Sequence, residues 1–380
     1  MKRIFVGLTA ILALASTPVW AQDVDVDVVV DAAAKTFLAA NPQSAGVSIA
    51  VVRGDRTRFY NYGVANRTGH VPMTSETLFP IASVTKTFTG TLLADAQLDG
   101  KLKLDDDIRT YLDGNYPNLE SGGRAIHIAD LVDHRSGLPF FIPDAPESQP
   151  DFKSPDSKND EPWLTRIGRL EAGYSRDDFY ADLHKVALPG PPGKDFHYSN
   201  AGAMLASYIL ERVYGQSYET LVTDKILKPL GMEHTRLTLT PQEEALVAKG
   251  YDGDGRVMPS GNVVFLGAGA LKSTARDMVR FVRWEMAESD PAVILSHQSQ
   301  TGPGAYAAGL NWQMLTSNDR RVIWQTGNIE GYNTYCITEP ELKTGLVVFF
   351  NEADPKSNPA QGEMVNAILK GLDTKAVLLP

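Results

Sequence analysis

The sequence has a single cysteine, Cys336, among 380 residues. One thiol cannot close a disulfide within the chain, so a disulfide-stapled scaffold is excluded. No cysteine pair exists for a structural zinc site, and no His-Glu-x-x-His stretch for a catalytic one. His70, His127, His134, His184, His197, His234 and His297 show no ligand spacing. The chain also lacks Gly-x-Ser-x-Gly, which argues against an α/β-hydrolase nucleophile elbow. Positive charge is not in excess: 36 Lys and Arg face 46 Asp and Glu, a formal net charge of −10. A polyanion-binding surface is therefore not expected, and nucleic acid is not an expected partner. The N-terminal apolar run, Ile4 to Ala15, is shorter than the ~20 residues a membrane span needs.

What that N-terminus does have is the layout of an export signal. Lys2 and Arg3 precede the apolar run, and Thr17-Pro18-Val19-Trp20-Ala21 follows it. Compact residues at Val19 and Ala21 suit cleavage before Gln22. Residues 1–21 are thus expected to be removed, leaving an exported, periplasmic or secreted chain with no stable membrane anchor. Asp23 to Asp27 alternates Asp with Val like the start of a calcium loop, but Val28 stands where the sharp-turn glycine is needed. We read this stretch as a solvated lead-in to a helix ending near Ala40.

With 43% hydrophobic residues the chain can bury a sizeable core, and its length points to roughly two domains. Gly46–Val52 and Thr57–Val64 are β-rich runs around Arg53-Gly54-Asp55-Arg56, the pattern of a hairpin. That Arg-Gly-Asp is a turn rather than a ligand motif. Ser83 to Gln97 predicts a helix with Gly100 as its stop, and Leu205, Ile209 and Val213 predict another. Val322–Trp324, Tyr332–Thr338 and Gly345–Phe350 predict neighbouring strands, and Met364–Leu372 a closing helix. Cys336, within the second of these strands, is expected as a buried structural thiol. The fold class is therefore α+β: an antiparallel sheet built from both chain ends and flanked by helices, plus a mostly helical domain. The expected division is 22–82 with 267–380 as the sheet region and 83–266 as the helical region. Residues 143–175 form an insertion rich in Pro, Asp, Ser and Lys. They are read as a surface loop, with cover of the active site by Trp163 and Tyr174 as the sharper alternative.

Ser83-Val84-Thr85-Lys86 is the only Ser-x-x-Lys in the chain. Spaced three apart at a helix start, the two side chains share a face, and the amine can reach the hydroxyl. A serine hydroxyl is a weak nucleophile until a base takes its proton. A lysine can be that base only when neutral, which burial can arrange. The free N–H groups and dipole at the helix start favour a developing oxyanion.

The wider pattern is distinctive. Phe79-Pro80-Ile81-Ala82-Ser83-Val84-Thr85-Lys86 is followed by His134-Arg135-Ser136-Gly137-Leu138-Pro139, Pro192-Gly193 and Tyr198-Ser199-Asn200. Ile226-Leu227-Lys228-Pro229-Leu230-Gly231-Met232, Leu271-Lys272-Ser273-Thr274 and Gly309-Leu310-Asn311-Trp312 complete the order. This set resembles the serine β-lactamase-related family, closest in pattern to class C β-lactamases, penicillin-binding proteins and periplasmic DD-peptidases. The resemblance implies Ser83 as nucleophile, with Tyr198 as its general base or sharing the proton with Lys86. It implies Asn200 as a hydrogen-bond partner of Lys86 and of the substrate amide. Tyr116-Pro117-Asn118 has the same spacing as Tyr198-Ser199-Asn200 but sits among turn residues, so Tyr198 is preferred.

The family's third motif, Lys-Thr-Gly or His-Thr-Gly on a strand, is where the sequence departs. Lys343-Thr344-Gly345 follows Glu339-Pro340-Glu341, a turn between strands, and is rejected. The matching position is Gln325-Thr326-Gly327, with Asn328 implied as the second oxyanion N–H. Gln325 can hydrogen-bond but carries no charge. The resemblance implies no metal and no cofactor. It implies a β-lactam or a D-alanyl peptide of peptidoglycan as substrate. A carboxylesterase on uncharged esters and a non-hydrolytic penicillin- or wall-binding protein are the alternatives.

Overall fold

β1, Gly46–Arg53, is apolar on both faces, the signature of a strand covered from both sides. Val47, Ile49 and Val51 point one way, and Ala50 and Val52 the other. In the computed structural model β1 lies inside an eight-stranded sheet, pairing with β2, Arg56–Asn66, through the two-residue turn Gly54-Asp55. Gly54 at that turn has φ +53, which a glycine adopts without steric cost. The structure describes residues 25–142, 173–258, 266–300, 306–317, 319–329, 331–354 and 357–380. The expected leader and most of the Pro-rich insertion, Trp163 included, lie outside the described residues.

The remaining strands are β3 (Val71–Pro72), β4 (Tyr306–Ala308), β5 (Gln313–Ser317), β6 (Arg320–Ile329), β7 (Tyr332–Glu339) and β8 (Thr344–Phe350). Their spatial order is β3-β2-β1-β8-β7-β6-β5-β4, antiparallel throughout. The first and last thirds of the chain thus meet where β1 pairs with β8, Val47 opposite Phe350. The α+β class and the sheet drawn from both chain ends are borne out.

Each face of the sheet has its own apolar layer. On one side α1 (Val26–Ala40) and α7 (Asn358–Leu372) cover Val47, Ile49, Trp324 and Phe350. Phe37 meets the Phe350 ring edge-on at 5.3 Å. Full burial of such a ring contributes about 1.5–3 kcal/mol. α1 takes in the last two residues of the expected solvated lead-in, Val26 and Asp27: Asp25 is its N-cap, accepting from the N–H groups of Asp27 and Val28.

On the other side, α6 (Ala275–Ala287) lies over the sheet and joins it to the helices of the middle of the chain. These include α2 (Thr85–Leu98), α3 (Ile128–Val132), α4 (Arg176–Leu183) and α5 (Asn200–Tyr214). Phe281 of α6 stacks on Phe88 of α2 at 3.9 Å, tying the nucleophile helix to the sheet layer. Tyr174, at the end of the insertion, donates its hydroxyl to Asp182 of α4 at 2.8 Å. Cys336 is buried in β7, and burial pushes its thiol pKa well up, so it is an inert packing group. Among the described residues, no helix is long and apolar enough to cross a membrane.

Candidate active site

The chain enters α2 through Ile81-Ala82-Ser83-Val84. Ala82 has φ +45, a left-handed backbone rare for a residue with a side chain. Such a conformation costs on the order of 1–3 kcal/mol and persists only when its surroundings hold it. They do so here on two sides. The Ile81 N–H donates to the Leu271 carbonyl at 3.0 Å, and the Thr334 hydroxyl donates to the Ile81 carbonyl at 3.1 Å. Gly327 lets β6 come this close: a Cβ there would stand 2.3 Å from the Ile81 oxygen. Ser83 follows in a single 3₁₀ turn, Ala82–Val84, directly before α2, and keeps part of its surface exposed.

Lys86, one turn along, is fully buried. Its Nζ lies 3.0 Å from Ser83 Oγ, 2.7 Å from Asn200 Oδ1 and 2.6 Å from the Ala268 carbonyl. Burial pulls its pKa down to about 7. A neutral amine suits these three neighbours. Two N–H groups satisfy the two carbonyl oxygens, and the lone pair is left facing the serine hydroxyl. Tyr198 approaches from the other side, its ring 5.2 Å from Lys86 Nζ. Burial pushes Tyr198 up to about 12, and the nearby Ser83 hydroxyl opposes this only in part.

Tyr198 and Asn200 are set by the start of α5. Ser199 is its N-cap, accepting from the Gly202 N–H at 2.8 Å and donating to the Pro139 carbonyl at 2.7 Å. Asn200 then occupies the first helical position, and its N–H donates to the Phe140 carbonyl at 2.9 Å. Tyr116, the rival tyrosine, is buried elsewhere and stacks on His184 at 3.9 Å.

Gln325 is 2% exposed in β6. Its amide donates to the Asn311 carbonyl at 2.8 Å, and its Oε1 accepts from the Thr326 N–H at 3.0 Å. The Asn311 side chain in turn donates to the Lys86 carbonyl at 2.8 Å. Gln325 thus reaches the cluster through Asn311. β5 pairs with β6 only as far as Trp324. Thr326, half-buried, and Asn328, exposed, lie on the part of β6 that β5 leaves uncovered. Lys343 stands at the turn before β8, where its carbonyl accepts from the Gly54 N–H. That turn is at the opposite end of β7 from Thr334, with five residue steps from Thr334 to Glu339, or roughly 17 Å of strand.

Three members of this cluster escaped the sequence reading. The Ala268 carbonyl gave no signal, because every residue has one. Asn311 and His134 both stand in stretches that carried the resemblance, yet nothing local assigned them a contact. His134 packs its ring on Tyr198 at 4.2 Å between centroids. His197, the histidine adjoining Tyr198 in sequence, is exposed.

Comparison with known proteins places this geometry. The family model described as Beta-lactamase matches residues 30–369. A protein named Beta-lactamase from Pseudomonas fluorescens is 26% identical over 370 residues, covering 87% of this chain and 94% of that one. Protein flp of Staphylococcus aureus (strain N315) is 25% identical over 345 residues, and the match spans 87% of this chain but 63% of that protein. A crystal structure of a Beta-Lactamase/D-Alanine Carboxypeptidase from Pseudomonas syringae shares the fold, with a TM-score of 0.73 at 21% identity over 91% of this chain and 98% of that one. With a family match that takes in the sheet, the helices and every residue of the cluster around Ser83, the chain belongs to the beta-lactamase family.

Proposed function

We propose that the chain is a serine hydrolase that forms an acyl-enzyme at Ser83 on an amide or ester carbonyl. Family membership supports this class of chemistry. The observation that carries the reading is Lys86: a fully buried amine, without a carboxylate among its hydrogen-bond partners, 3.0 Å from a serine oxygen at a helix start. With its pKa near 7, about half of such an amine is neutral at pH 7, whereas a tyrosine at about 12 is ionised in only ~1 molecule in 10⁵. The division of labour then favours Lys86 as the group that accepts the Ser83 proton, with the Tyr198 hydroxyl relaying it to the leaving group. The Ser83 N–H and the Asn328 N–H on the uncovered edge of β6 are the proposed oxyanion donors. Asn200, Thr326 and Gly327 line the path of the substrate. Water completes the turnover.

The leading substrate is a β-lactam or a D-alanyl peptide of peptidoglycan. The names of the similar proteins from Pseudomonas support it. A second reading, a carboxylesterase, is favoured by Gln325, which puts a neutral, already bonded amide where the resemblance implies a cation. The experiment is mass spectrometry of the chain after separate incubation with a penicillin, a nitrophenyl ester and a D-Ala-D-Ala peptide, with turnover followed in parallel. Adducts on Ser83 identify the acyl class, and absence of any Ser83 adduct rejects the hydrolase. We also propose export, with residues 1–21 as the leader. N-terminal sequencing of the exported chain is expected to begin at Gln22.

A further inference from the structure

His134 holds the segment around Tyr198 at three points. Its carbonyl accepts from the His197 N–H at 2.7 Å. Its Nδ1 accepts from the Ser199 N–H at 3.3 Å. Its ring lies against the ring of Tyr198, between these two residues, at 4.2 Å and a 32° tilt. The residues on both sides of Tyr198 are thus hydrogen-bonded to one histidine that also packs on the tyrosine itself.

The histidine is shaped for this. Its φ is +62, a left-handed backbone just past the end of α3, where the Arg135 N–H donates to the Asp130 carbonyl at 3.0 Å. Its side chain is buried. Since Nδ1 accepts a hydrogen bond, the ring is neutral and its proton is on Nε2. Burial, with the protonated form of Lys86 adding to it, pulls its pKa down to about 3, so the ring is neutral around pH 7. Among the described residues Nε2 has no hydrogen-bond partner. A buried donor without an acceptor is unfavourable, a cost hard to understand in a mere filler of space.

We propose that His134 is a positioning residue for Tyr198: its Nδ1 acceptor and its ring fix the loop so that the tyrosine hydroxyl is held toward Ser83. This rests on the acyl-enzyme reading above. Misplacing a proton-relay group by a fraction of an ångström slows chemistry while leaving ground-state binding nearly intact.

Two substitutions separate the inference from a packing role, and both tolerate the left-handed backbone. His134→Asn keeps an acceptor where Nδ1 stands, and His134→Gly removes it. Both are assayed with a nitrophenyl ester and by the rate of fluorophosphonate labelling, with thermal melting as the check on folding. For His134→Gly we expect kcat to fall by ~10- to 100-fold with KM changed less than about threefold. His134→Asn is expected to recover most of that loss, to within about fivefold of wild type. Wild-type labelling by His134→Gly, or equal losses in both variants, overturns the proposal. Failure of the wild-type chain to label at Ser83 instead overturns the acyl-enzyme reading, so the two outcomes are distinct.

Discussion

Gln325 and Asn311 are joined by a buried hydrogen bond of 2.8 Å, amide donor to backbone carbonyl, and Asn311 passes the contact on to the backbone of Lys86. The residue at the third-motif position therefore braces the site from behind. Gln325→Leu is expected to strand the Asn311 carbonyl and the Thr326 N–H, destabilising the fold by about 1–3 kcal/mol. Urea denaturation of both forms measures this, and an unchanged midpoint would show that the bond carries no stability. Gln325→Lys places a cation at the third-motif position, one residue removed from Lys86 through Asn311. It is expected to move the acylation profile to lower pH, because an added positive charge disfavours the protonated form of Lys86. It should also favour a penicillin over a neutral ester by about one to two powers of ten. Acylation rates for both substrates across pH decide it.

Ser83→Ala is expected to abolish labelling by penicillin and by fluorophosphonate. The hydroxyl is only part-buried, so its loss should alter thermal stability little. Labelling that continues at another serine would refute the nucleophile.

The position of Lys86 near pH 7 gives a sign for the pH dependence. Only the neutral amine accepts a proton, so acylation is expected to rise through about pH 7 and level off above it. Tyr198→Phe should slow acylation severely yet keep the inflection, while Lys86→Ala should lose both. The double variant is expected to be little worse than the worse single, since the two act as one proton-transfer unit. An inflection near 7 that survives Lys86→Ala belongs to some other group.

Away from the site, His297 bridges two carboxylates, with Nε2 3.0 Å from Glu285 and Nδ1 2.9 Å from Glu288. Burial pulls its pKa down, but the two carboxylates outweigh this and hold it above the ordinary histidine value. Glu288 is held down at about 2 against its burial by His297 and Arg321. A raised histidine pKa means stability fully present below about 6.5 and lost as pH rises through the higher folded value. His297→Gln is expected to cost about 3–5 kcal/mol near pH 6, because it leaves Glu285 buried without its cation. The gap from wild type should narrow in alkaline solution. Denaturation curves from pH 6 to 9 test this, and a gap independent of pH would mean that the imidazole does not titrate in this range.

What the sequence determined by itself is what local spacing can encode. Ser83 and Lys86 stand three apart at a helix start, so their meeting follows from the 3.6-residue turn. The strands at both ends were legible because both-face burial leaves near-continuous apolar runs, as in β1 and β8. The choice of Gln325 over Lys343 was legible because Pro340 marks a turn. Tertiary structure decided the rest. Lys86 meets Asn200 across 114 residues, a pairing that only the resemblance had implied, and the Ala268 carbonyl across 182. A backbone carbonyl leaves no mark in a sequence, and a side-chain pair at such separation has no period to betray it. His134 shows the same limit most sharply. Its letter was in view, but its grip on Tyr198 exists only because a left-handed turn and the start of α5 are brought together by folding. Contacts between distant segments are set by how layers pack, and no local pattern carries that information.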